Sequence, residues 1–191
     1  MNRYISHQEI PGLQAVLGVI RAVATHDEVA RIAICEHPTW APLNVLLGLV
    51  GCSVVISLKT ELLLTLAALG KSKETALQLW VNLEFSQIIH TVPTTNTFGE
   101  QHFLFHFLHF IVLFLLLGSR NIETEIDQLE CRNETYPLTQ ALLEFLYSLV
   151  TTAVPHNLGA GPRRAGLDPY VGFIIDAIFL KFYNRLDCSL P

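Results

Sequence analysis

SLKTELLLTLAALG, residues 57–70, is the stretch that decides the fold class. Its leucines fall on most sides of a helix, so a helix made from it has to be buried on most sides. Ser57 reads as an N-cap and Gly70 as the stop. A helix of that kind needs neighbours all round it, and the chain on either side supplies them.

Upstream, Pro11 suits a first turn, and Leu13, Val16, Leu17, Ile20 and Val23 follow at helical spacing. Asp27 caps a second helix carrying Val29, Ile32 and Ala33. His37-Pro38 ends it, because the residue before a proline is pushed out of the helical region. Thr39 caps the next start, with Pro42 in its first turn.

Downstream, Ser72 restarts the chain. Leu77, Trp80, Val81, Phe85, Ile88 and Ile89 make one stripe, opposite Thr75, Gln78, Asn82 and Ser86. TVPTTNTFG, 91–99, is a loop by composition. In IETEIDQLECR, Ile122, Ile126 and Leu129 share a face, and Glu123, Glu125, Asp127 and Glu130 read as a solvated acidic side. From Pro137 a stripe of Leu138, Leu142, Phe145, Leu146, Leu149 and Val150 runs to Val154-Pro155. A Gly-rich loop, 155–167, follows. Asp168-Pro169 opens a last helix striped by Val171, Ile174, Ile175, Ile178 and Phe182.

No stretch of any length alternates with the period of a strand. The pattern predicts an all-α chain of helical hairpins, each burying its apolar face on the next. It gives no clean repeat period, so a compact bundle fits these residues as well.

Bulk composition narrows the function. The 191 residues carry a net charge of −5 and no basic cluster larger than Arg163-Arg164, which excludes a nucleic-acid groove. The four cysteines, Cys35, Cys52, Cys131 and Cys188, have no CxxC spacing and read as free, mostly buried thiols. Asn133-Glu134-Thr135 matches a glycosylation triplet of a kind common by chance, and MNRYISHQEIPG lacks the apolar core of a signal peptide.

Catalytic chemistry is hard to place. Asn157-Leu158-Gly159-Ala160-Gly161 with Arg163 and Arg164 lacks the GxxxxGK[ST] arrangement and follows no strand. Ser6-His7, Glu36-His37 and His26-Asp27 are only sequence neighbours, and no GxSxG or HExxH occurs. His102, His106 and His109 share a helix face, but the first and third lie about 10 Å apart along the axis. That is too far for all three to hold one ion at about 2.0 Å. The expectation is no catalytic, cofactor-binding or metal residue, no cofactor and no enzyme.

Mean hydropathy of +0.41 keeps a membrane reading in play. PTWAPLNVLLGLVGCSVVISL, 38–58, is uncharged over 21 positions, and 103–117 spans fifteen, broken by His106 and His109. A span needs about twenty apolar residues. Pro42, Asn44, Gly48 and Gly51 interrupt the first candidate, and neither flank shows a positive bias. A small helical membrane protein spanning with 38–58 and 103–117 is therefore the alternative to a stack of helices.

Long runs of this sequence resemble a known family. They are GLQAVLGVIRAVATHDEVARIAICEHPTWAPLNVLLGLV, LKTELLLTLAALGKS, the TVPTT loop, YPLTQALLEFLYSLV and NLGAGPRRAGLDPYVGF. In order, they resemble the large scaffold nucleoporins of the nuclear pore inner ring, the 205-kDa nucleoporin family. The resemblance covers most of 11–97 and 122–183. It implies an α-solenoid segment of stacked ARM/HEAT-like helical hairpins, 1–191, acting as a structural constituent of the nuclear pore complex at the nuclear envelope. It implies a part in pore assembly and nucleocytoplasmic transport of protein and mRNA. The partners it implies are other inner-ring nucleoporins, adaptor and linker nucleoporins among them. It implies no direct membrane span and no small-molecule substrate, and the family offers no active-site residue to carry over.

The chain departs from the family in three respects. It is far shorter, as a piece of a solenoid would be, and such a piece exposes apolar end faces. FGEQHFLFHFLHFIVLFLLLGSR, 98–120, matches nothing in the family and reads as an apolar insertion, translated from an intron or a mispredicted exon. As protein it would be a helix with Phe103, Phe107, Phe110 and Phe114 on one face. LDCSLP, 186–191, also leaves the pattern.

Overall fold

The computed structural model describes residues 5–37, 39–86, 88–89, 122–158 and 166–181. Among the described residues all regular structure is helical. The helices are α1 (Ile10–His26), α2 (Glu28–Cys35), α3 (Pro42–Gly51), α4 (Ile56–Leu69) and α5 (Lys73–Ser86). Then come α6, which runs Ile122–Glu125, a wide π turn Ile126–Glu130 and Cys131–Asn133, and α7 (Pro137–Thr152). Last is α8, Asp168–Phe173 continuing as a π segment Ile174–Phe179.

The helix over 57–70 sits where its composition puts it. α4 lies between α1 and α7, and α3 covers it. Leu58, Leu62, Leu63, Leu66, Ala67, Ala68 and Leu69 are each 3% exposed or less. They meet a buried face of α7 made by Leu138, Leu142, Phe145, Leu146 and Leu149. α1, α4 and α7 thus form one row. α2, α3 and α5 form a second row over it, with α2 against α3 and α3 against α5. This is a helical stack of the solenoid kind, as expected from the sequence.

Several helix faces and ends differ from their sequence reading. Ser57 does not cap α4: the helix starts at Ile56 with Val55 at the cap position and no side-chain cap. Gly70 does end it, but at φ −75°, so no left-handed turn requires glycine. Close packing requires it, because a Cβ there would stand 2.9 Å from Leu149 Cδ2 and 3.2 Å from Leu79 Cδ1. Asp27 caps α2 as expected, accepting from the Ala30 amide at 3.0 Å. Thr39 does not cap α3, whose cap residue is Ala41 in left-handed backbone at φ 42°. Asp168 is the first residue of α8, with Leu167 at its cap.

α2 inverts the expected stripe. Val29 is 78% exposed and Ala33 is exposed, while Arg31 and Cys35 are buried. The reason is polar: Arg31 Nε donates to Ser72 Oγ at 2.8 Å and Nη1 to the Ala24 carbonyl at 2.5 Å. One guanidinium therefore stitches α1, α2 and the α4–α5 turn. In α5 the buried face is Thr75, Ala76, Leu79, Trp80 and Leu83, so Val81 turns outward and Thr75 inward. Thr75 Oγ1 reaches the Leu69 and Ser72 carbonyls at 2.6 and 2.9 Å, which satisfies its hydroxyl inside.

The uncharged run 38–58 is not one span. It divides into α3, a break at Cys52–Val55 and the start of α4. α3 has ten residues, about 15 Å of helix against a hydrocarbon core of about 30 Å. Among the described residues no helix is long and apolar enough to cross a membrane. The second candidate, 103–117, the insertion 98–120 and the centre of the 155–167 loop lie outside the described residues.

Candidate functional site

The side chains singled out for chemistry do not converge. Ser6 lies in the turn before α1, where its amide donates to Glu9 Oε2 at 2.8 Å. His26 ends α1, Asp27 caps α2, and His37 pairs with Thr39 Oγ1 at 3.2 Å. His102, His106, His109, Arg163 and Arg164 lie outside the described residues. Among the described residues no group of three His, Cys, Asp or Glu side chains could hold a metal ion.

What the structure does assemble is a clasp of carboxylates on α6. Lys59 Nζ meets Glu125 Oε2 at 2.6 Å, with the two side chains 0% and 1% exposed. Glu130, 1% exposed, reaches the start of α7. Its carboxylate accepts from the Leu138 and Thr139 amides, the latter at 3.0 Å, and from Thr139 Oγ1 at 2.6 Å. Those amides lie in the first turn of α7 and have no partner within the helix. On the outer side, Lys181 Nζ bridges Asp127 Oδ2 at 2.6 Å and Glu123 Oε1 at 3.0 Å. Partial burial works against the Lys181 ammonium, but the two carboxylates outweigh it and hold its pKa above the usual lysine value.

The acidic run is therefore not a solvated face, because two of its four acids are inside the fold. Sequence reading missed Lys59, Glu125 and Glu130. A lysine in the first turn of an otherwise apolar, all-round buried helix was the available signal, since a buried ammonium needs an anion.

Among the described residues, two helices carry uncovered apolar faces. On α1, Leu13 is 40% exposed, Val16 58%, Val19 65% and Val23 39%. On α8, Val171, Ile175 and Phe179 form an exposed line four residues apart, with Phe179 at 69%. A shallow groove of about 290 Å³ lies between α2, α3 and α5, lined by Cys35, Leu43, Asn44, Gln78, Val81 and Asn82. The chemistry available on these faces and in the groove is contact rather than bond making.

The described cysteines are free thiols, Cys35 and Cys52 buried and Cys131 partly so. Burial pushes Cys35 up to about 11, against the pull of Arg31. Burial likewise raises Cys52, against Lys59. Both stay protonated at pH 8 and should resist alkylation at least about a hundredfold relative to the unfolded chain. Peptide mapping after pulsed iodoacetamide checks this. Labelling of Cys35 and Cys52 as fast in native as in denaturing buffer would contradict their burial.

A family model described as Nup192, nuclear pore complex scaffold, nucleoporins 186/192/205, matches residues 1–189. The chain is 45% identical over 181 residues to the nuclear pore complex protein Nup205 of Drosophila melanogaster, covering 95% of this chain and 8% of that protein. It is 41% identical over 184 residues to Nup205 of Homo sapiens, covering 96% of this chain and 8% of that one.

Proposed function

Since the chain belongs to the nuclear pore complex scaffold family of nucleoporins 186/192/205, we propose that it serves as a structural segment of the pore's inner-ring solenoid. The observation that carries this is the family match along nearly the whole chain. The packing supports it: α4 is enclosed between two neighbours, while α1 and α8 turn apolar side chains outward. Terminal units of a stack look like that when further units adjoin them.

The chain spans about 8% of the length of the relatives it matches. In this reading residues 1–191 form one solenoid unit, residues 98–120 are an insertion in it, and 155–167 is a connecting loop. The segment works at the nuclear envelope without catalysis, cofactor or nucleic acid, and its partners are other inner-ring nucleoporins.

Affinity capture of the tagged chain from cell lysate, with identification of what co-purifies, tests the reading. Recovery of inner-ring nucleoporins is expected. A Val16→Glu/Val19→Glu variant, which charges the open face of α1, should lose them while its far-UV spectrum stays helical. A folded chain that brings down no nucleoporin would overturn the proposal. Retention in the membrane pellet at alkaline pH would restore the membrane reading.

A further inference from the structure

The π turn in the middle of α6 ties two anchors that point to different helices. In α6 the Cys131 amide donates to the Ile126 carbonyl, five residues back, so the helix carries one residue more than an α turn holds. In an α-helix, residues five apart are rotated by roughly 140° about the axis. Glu125 and Glu130 are five apart, yet both are 1% exposed. Glu125 engages Lys59 on α4 and Glu130 engages the first turn of α7. An unbroken α-helix would turn one of the two carboxylates away from the core.

We propose that this π turn is a register lock, which lets the Lys59–Glu125 pair and the Glu130 cap on α7 engage together and release together. The pair holds the first half of α6 in place, and the wide turn brings Glu130 round to α7. When the pair is lost, the turn closes to α geometry and Glu130 swings off the α7 amides. Movement of α6 against α4 is thereby felt at the start of α7, the next helix of the row.

The Leu138 and Thr139 amides are built-in reporters, because Glu130 is their acceptor. Residue-resolved hydrogen exchange on the full chain tests the lock. The Lys59→Met/Glu125→Met variant replaces both members of the pair by apolar side chains and leaves Glu130, Leu138 and Thr139 unchanged. Exchange at Leu138 and Thr139 should quicken by about tenfold or more, while Leu142 and Phe145 in the body of α7 keep their protection. Deletion of the exposed Gln128 removes the additional residue and leaves both anchors chemically intact. It should quicken the same two amides. Unchanged exchange at Leu138 and Thr139 in the double variant would overturn the lock. So would a rise seen only together with Leu142 and Phe145, since that reports general loosening of α7.

Discussion

Glu125→Ala should destabilise the chain by about 3–5 kcal/mol, because it removes the carboxylate against which a buried ammonium is set. Lys59 is 0% exposed and its Nζ lies 2.6 Å from Glu125 Oε2. Without that carboxylate the fold loses a charge-assisted contact buried between α4 and α6. Domains of this kind have about 5–15 kcal/mol to lose, so the variant should sit near the edge of folding. Guanidinium denaturation followed by far-UV circular dichroism measures the loss. The Lys59→Met/Glu125→Met double variant is the telling comparison, because buried pairs replaced by apolar groups of similar volume are often neutral or stabilising. It should recover most of the loss. A Glu125→Ala cost below about 1 kcal/mol would mean that the Lys59 ammonium does not depend on Glu125.

The contrast between the two variants also explains which parts of the fold were legible in the sequence. Apolar pattern is a local property, and it was read correctly for α4 and α7. α4 is enclosed as its composition requires, and the α7 stripe is buried at every position except Val150. It was misread where a polar side chain does the packing. Arg31 turns α2 so that Val29 faces outward, and Thr75 satisfies its hydroxyl on two carbonyls and turns the face of α5. Glu125 and Glu130 fit no common α-helical face, so periodicity assigned them to solvent. Only the π turn reconciles them, and no residue pattern in IETEIDQLECR marks it. The family match identified the scaffold class, but partner contacts carry no local motif. Spacing marked the stripes of α1 and α8, and exposure shows that Leu13, Val16 and Val23 of the first and Val171 and Ile175 of the second face outward.

The second large effect should come from Trp80, where apolar and polar packing coincide. Its side chain is 0% exposed, and its Nε1–H donates to the Ala153 carbonyl at 2.8 Å. Its ring meets Tyr170 edge-on with centroids 5.0 Å apart at 72°. One residue of α5 thus holds the end of α7 and the start of α8, helices that follow each other only through the 155–167 loop. Trp80→Ala should cost about 3–5 kcal/mol in lost contact and cavity. Trp80→Phe keeps most of the ring volume and orphans the Ala153 carbonyl, which should cost about 1–3 kcal/mol. If packing dominates, the first loss clearly exceeds the second in the same denaturation assay. If the two variants lose the same amount, the hydrogen bond to the end of α7 is the main tie. Limited proteolysis adds a spatial test. With Tyr170 deprived of its ring partner, cleavage between α7 and α8 should quicken before cleavage within α4, since α4 packs chiefly on α1, α3 and α7.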